Sequence, residues 1–237
     1  MPTISSITHQ RVTWTAVTDP NRMLRSSIGG YPILPVGTPW PSCRASGCGQ
    51  RMSLFLQFDV DDRVGLPFET GASLSVFQCI RQDDPLDRVN LLSPARPYDR
   101  LPAGYWDHPH YALFLTAPGQ QQQLMEREPF VEYSRLDFTA EPDPPPRSVP
   151  ALNYGNLKIG GLPFWIQRPQ RWSCACGARM EFLCSMPGDL EYPKAAGGPR
   201  QPNARANSYF LLLGLSTYVF ACRARCDARA VFPVTQN

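Results

Sequence analysis

Two pairs of short motifs recur in the same order along this chain, and that recurrence limits its architecture more than any other feature. Ile28-Gly29-Gly30-Tyr31-Pro32 is followed, after 15 residues, by Cys48-Gly49-Gln50-Arg51-Met52. Ile159-Gly160-Gly161-Leu162-Pro163 is followed, after 12 residues, by Cys176-Gly177-Ala178-Arg179-Met180. An apolar run comes next in each case, Leu54–Phe58 and Glu181–Cys184, and further on Val76-Phe77-Gln78-Cys79 matches Val219-Phe220-Ala221-Cys222. Three ordered matches imply an internal duplication. The expected division is a first repeat over 1–140, a Pro-rich connector over 141–150 and a second repeat over 151–237. Consecutive prolines stay extended and cannot join a ladder, which makes 141–150 the connector.

The 26 prolines disfavour long helices and favour short strands between turns. Strands are expected over 11–17, 53–58, 73–80, 111–116, 180–185, 208–213, 217–221 and 230–234, which are β-branched or aromatic and bounded by turn residues. Gln120–Arg127 and Met186–Tyr192 are read as helical turns. The Gly pairs precede Pro and lack any phosphate-binding fingerprint, so they are read as tight backbone turns. The resulting expectation is an α+β, β-rich fold, internally duplicated, with its two related halves packed as one compact pseudo-twofold unit.

No stretch has the 18 or more apolar residues of a membrane-spanning helix, and Met1 to Gln10 shows no signal-peptide pattern. Cytoplasmic residence is therefore expected, with the eight Cys reduced and a metal favoured over disulfides. Cys174, Cys176, Cys222 and Cys226 arrive as two close pairs, the donor set of a tetrahedral structural Zn²⁺. The repeat aligns Cys48 with Cys176 and Cys79 with Cys222, and sets Cys43 near the place of Cys174. Asp83 stands where the second half has Cys226. Cys43, Cys48, Cys79 and Asp83 then form either a weaker second site or a decayed copy, and decay is favoured. Cys184 has no place in this scheme and is read as core.

A net charge of +3 is too weak to predict a nucleic-acid or membrane partner. Of 23 basic residues, 21 are Arg, scattered along the chain as in a GC-rich bacterial genome. Of the three His, His108 and His110 flank Pro109 and share one face of an extended chain near Asp107. A loop entering the next strand is favoured there over a catalytic metal site. No nucleophile elbow, HExxH or kinase signature occurs, and Asp61-Asp62 and Asp83-Asp84 sit in turn-like surroundings. The chain is therefore not expected to be an enzyme. Trp40 and Trp165 follow the Gly-Gly turns at comparable places, and Arg223, Arg225 and Arg229 are read as a solvated strand face.

The run SSIGGYPILPVGTPWP followed by CGQRMSLFLQF resembles the opening motif of the bacterial YwqG-like family (domain of unknown function 1963). LKIGGLPFWIQ followed by CACGARMEFLCSM resembles its later motif, and is also similar to the GGxPxW…CGxxM pattern of programmed-cell-death-2-like proteins. The resemblance spans Ser26 to Val234. It implies a mixed α+β, duplicated fold with no established active site. Members of the family are encoded beside secreted bacterial toxins, so it also implies an immunity protein that occludes a cognate toxin or effector of the type VI secretion kind. Strong acidity, often used against nucleases, is absent here, which favours occlusion by shape or through local acidic patches. The alternative it implies is a zinc-stabilised chaperone or adaptor for a ribosomal or nucleic-acid-associated protein.

Overall fold

The computed structural model describes residues 7–62, 65–82, 99–143, 156–202 and 204–236. In chain order the strands are β1 (Thr8–Ala16), β2 (Ser27–Ile28), β3 (Ile33–Pro35), β4 (Ser53–Asp59), β5 (Ser73–Gln78), β6 (Asp99–Arg100), β7 (Tyr111–Thr116), β8 (Gln121–Gln123) and β9 (Ser134–Pro142). They continue with β10 (Leu157–Ile159), β11 (Trp172–Ser173), β12 (Met180–Met186), β13 (Glu191–Pro193), β14 (Ser208–Phe210), β15 (Ser216–Cys222) and β16 (Val231–Gln236).

Ten strands form one sheet in the order β16-β15-β12-β10-β1-β9-β2-β4-β5-β7. Its two ends approach each other, and the Leu115 N–H of β7 donates to the Ala228 carbonyl beside β16 (2.7 Å). The sheet thus curls into a nearly closed barrel, which leaves little free edge. Three two-stranded ladders, β3 with β8, β6 with β11 and β13 with β14, decorate it.

Read from either end, the sheet presents corresponding elements. β2, β4, β5 and β7 carry one set of motifs, and β10, β12, β15 and β16 the other. Even the irregularities match: the β4–β5 register shifts between Leu54 and Leu56, and the β12–β15 register between Phe182 and Cys184. β1 and β9 lie between these sets, antiparallel along their full length from Thr8↔Pro142 to Ala16↔Ser134. Each is handed across the centre. β1 leads into β2 in sequence but pairs with β10, while β9 leads towards β10 but pairs with β2.

The expected α component is corrected by this architecture. The chain is about 42% strand and 2% helical, and its helical element among the described residues is the 3-10 turn Leu212–Gly214. The helical turn expected over Gln120–Arg127 is instead β8, antiparallel to β3. Gln favours helices only weakly, and here the Gln121, Gln122 and Gln123 side-chain amides all donate to backbone carbonyls of neighbouring segments. Over Met186–Tyr192, Pro187 opens a turn and Glu191–Pro193 pairs with β14. The connector read over 141–150 begins inside β9, where Glu141 and Pro142 pair with His9 and Thr8; residues 144–150 lie outside the described residues.

One shared core fills the sheet, with Val12, Ile28, Phe55, Phe58, Leu183 and Val219 among its members. Two smaller clusters flank it, one per motif set, and each contains that set's cysteines. Cys43 and Cys79 pack with Leu34, Leu54, Phe77 and Phe114; Cys174 and Cys222 pack with Trp172, Met180, Phe220 and Phe232. The Trp residues following the Gly turns meet equivalent Phe rings. Trp40 lies edge-on to Phe77 at 6.0 Å, and Trp165 stacks on Phe220 at 5.7 Å.

Each Gly-Gly turn has positive φ at both glycines, which a Cβ disfavours. The second glycine is also in close contact with a side chain flanking β9. A Cβ on Gly30 would overlap the Tyr133 ring, and one on Gly161 would overlap the Asp143 carboxylate. Asp143 accepts from the Leu162 N–H (2.6 Å) and is paired with His9 Nδ1 (2.7 Å) and Lys158 Nζ (2.9 Å). Lys158, from β10, also donates to the Leu162 carbonyl and covers the Phe164 ring. A buried charge needs such partners. Burial alone would raise the Asp143 carboxyl, but the hydrogen bonds from His9, Lys158 and Leu162 hold it below the usual range. Burial outweighs that pairing at Lys158 and brings it down to about 8.

Candidate metal centres

The second-half cluster is built from two turns. After β11, the Cys174 N–H donates to the Ala178 carbonyl (2.7 Å) and the Gly177 N–H to the Cys174 carbonyl (2.8 Å), folding Cys174 and Cys176 to one side. Gly177, at φ 93°, makes that turn possible. Cys222 ends β15, and the Arg225 N–H donates back to its carbonyl (2.9 Å), bringing Cys226 round. The Cys174 and Cys226 sulfurs are 3.6 Å apart, those of Cys176 and Cys222 3.5 Å, and all four lie within 4.8 Å of one another. Thiolates at about 2.3 Å from one tetrahedral ion stand about 3.8 Å apart, so the set is dimensioned for a metal. All eight cysteines are free thiols.

The electrostatics agree. The Ala178 N–H brings the Cys176 thiol down to about 7, against a small cost of burial. Burial, then the neighbouring sulfurs, pushes Cys226 up, and Cys222 is also raised chiefly by burial. Four thiols this close cannot all ionise unaided, whereas a divalent cation between them removes the repulsion and displaces the protons.

In the first half the Ser42–Arg51 bridge closes a loop in which the Cys43 N–H donates to Gln50 (2.7 Å) and the Cys48 N–H to Ala45 (3.0 Å). Cys43, Cys48 and Cys79 bring their sulfurs within 4.8 Å of one another, with Cys48 and Cys79 at 3.7 Å. Burial opposes ionisation of Cys48, but the Gln50 N–H, Gln82 and the two other thiols hold it at about 7. Burial raises Cys79 to about 12. Among the described residues the clusters that could hold a metal are thus four cysteines in one half and three in the other; Asp83 lies outside the described residues. Cys184 stands apart, fully buried in the shared core, which pushes its thiol up.

Asp107 does not join the histidines. It faces Arg229 (3.1 Å), while His108 stacks on Tyr111 at 3.8 Å. His110 Nδ1 instead lies 3.8 Å from Cys43 Sγ, from 67 positions away in the chain. Arg223, Arg225 and Arg229 are each engaged by carboxylates, of Glu181, Glu69 and Asp227 respectively.

The sequence gives no hint of one further feature, a cleft of about 920 Å³ over the outer side of β12 and β15. Trp165, Trp172, Phe182 and Phe220 line it with Arg171 and Arg179, and the exposed side chains of Leu162 and Ile166 stand at or beside its rim. It also missed the buried Glu128, whose carboxylate accepts from the Leu54 and Phe130 N–H groups (2.9 and 2.8 Å). Burial nevertheless raises that carboxyl.

Among the described residues no helix is long and apolar enough to cross a membrane. Comparison with protein-family models and with curated proteins finds no match, so the likeness to YwqG-like proteins rests on the motifs alone.

Proposed function

We propose that this chain is a zinc-stapled, non-catalytic binding protein that acts as an immunity protein, occluding a secreted bacterial toxin. The observation that carries the reading is the closed set of four sulfurs at Cys174, Cys176, Cys222 and Cys226. Four protein ligands complete a tetrahedral Zn²⁺ and leave no position for water or substrate, so the metal there is structural. Zinc pins the end of β15 to the turn before β12, and thereby fixes the floor of the cleft. The cleft offers the partner Trp165, Arg171 and Arg179, the residue types that dominate binding hot spots. The motif likeness to proteins encoded beside toxins supplies the class of partner.

The test uses the full chain as bait in its source bacterium, with the wild type beside Trp165→Ala. A single stoichiometric secreted enzyme, captured by the wild type and lost by the variant, supports the proposal. Co-expression should then protect a host from that enzyme. A ribosomal protein as the main client moves the reading to a chaperone, and a toxin that still kills in the presence of this chain removes the immunity role.

A further inference from the structure

The first-half cluster lacks a fourth sulfur, and the sheet register shows what replaces it. In β15 the Cys222 N–H donates to the Ala230 carbonyl (2.8 Å), the residue just before β16. In β5's extension the Cys79 N–H donates to the His110 carbonyl (2.7 Å), the residue just before β7. Phe77↔Ala112 and Phe220↔Phe232 continue the two ladders in step. His110 therefore occupies the position of Ala230. In the second half Cys226 fills the remaining corner from the loop after Cys222, and the small Ala230 keeps clear. In the first half the strand end itself carries an imidazole.

We propose that Cys43, Cys48, Cys79 and His110 form a second, three-sulfur-one-nitrogen zinc site, closed by His110 Nδ1. The contact with Cys43 suits it: a tetrahedral zinc with bonds of about 2.3 Å to sulfur and about 2.0 Å to nitrogen separates sulfur from nitrogen by about 3.5 Å. Cys43 Sγ and His110 Nδ1 are 3.8 Å apart, and Cys48 and Cys79 are 3.7 Å apart. The imidazole is not within 4.8 Å of all three sulfurs, so it turns further towards them to close the site around an ion. The histidine is held in place from two sides. The Arg44 N–H donates to the Pro109 carbonyl (2.9 Å) and its guanidinium to the His108 carbonyl (3.1 Å), tying this segment to the Cys43 loop. The His110 N–H donates to His108 Nδ1 (3.2 Å). Each sulfur also accepts a backbone N–H from two residues on: Ala45 to Cys43, Gln50 to Cys48 and Arg81 to Cys79. Cys176 and Cys222 make the same bond with Ala178 and Ala224. These donors offset thiolate charge before any metal arrives. The first copy of the motif is thus a working site with a substituted ligand, not a decayed one, and it stands whether or not the chain binds a toxin.

The test is metal content and zinc K-edge absorption of the full chain, purified reduced and without added metal. Two zinc ions per chain are expected, with a nitrogen scatterer at about 2.0 Å. His110→Cys should keep both ions and lose the nitrogen signal. His110→Ala should release one ion to a competing chelator at least about tenfold more readily, since even the loss of a ligand's supporting partner costs that much. If His110→Ala does not fold, the His110→Cys spectrum decides. One zinc per wild-type chain overturns the proposal. So does a light-atom signal that persists in His110→Cys, as ligation by Asp83 would produce.

Discussion

The two halves of the sheet use the same motifs and differ in how they close them. The second half gathers four sulfurs within two short turns, half of them exposed, and its Gly-Gly turn is clamped by a buried carboxylate. The first half has three sulfurs and a histidine from a distant strand end, and its Gly-Gly turn is clamped by a phenol ring. A backbone ladder can be duplicated and kept while the chemistry inside it drifts, provided each drifted position still satisfies its neighbours.

Replacing one sulfur in each half should break the comparison hardest. Cys222→Ser removes a buried ligand, and structural zinc sites in small domains hold on the order of 10 kcal/mol of folding energy. It should abolish cooperative unfolding near the wild-type midpoint, as read by circular dichroism. Cys79→Ser should be the milder of the pair, and equal effects would mean that the two sites carry equal weight.

Next in size is Asp143→Ala, which leaves Lys158 buried without its anion. Removing one partner of a buried pair costs about 3–5 kcal/mol, so denaturant titration should show a loss of that order. Gly161→Ala should approach it by expelling the same carboxylate, whereas Gly30→Ala displaces only the Tyr133 ring. Its strained backbone should cost about 1–3 kcal/mol.

Acid separates the halves with opposite signs. The Asp143 carboxyl is depressed in the folded chain, so its contribution is present above the unfolded value near 3.9 and is lost as pH falls through the folded one. Glu128 is raised, so its contribution is greatest in acid and is lost as pH rises from the unfolded value through the folded one. Hydrogen exchange below about pH 4 should therefore open the strands around β10 before those around β4. The smallest effect belongs to the exposed Arg225–Glu69 pair, where Arg225→Ala should cost about 0.2–1 kcal/mol.

Seven long strands and both Gly turns were legible because their residues alternate or run apolar between Gly and Pro. β9 was not. Its run Ser134–Pro142 is rich in charge and sits against a proline tract, so nothing local marks it as a central strand; only pairing with β1 does. The glutamines of β8 read as helix because their amide bonds to Leu24, Tyr31 and Pro35 are tertiary. The four-cysteine cluster was legible because its ligands come as two close pairs. His110 was not, because its relation to Cys43 exists only once the sheet has registered.

The strands handed across the centre have a consequence for how the protein is made. When β9 emerges from the ribosome, β1 can pair with it at once, but the other edge of β1 at Gln10, Arg11 and Val12 must wait for β10. At ordinary elongation rates β10 follows β9 after about 1–3 seconds. Throughout that time the nascent first half presents an open strand edge of the kind other chains can join. A neighbouring chain on the same message offers an identical β10. The fold thus favours well-separated nascent chains, and its characteristic misassembly is a reciprocal exchange of second halves between two molecules.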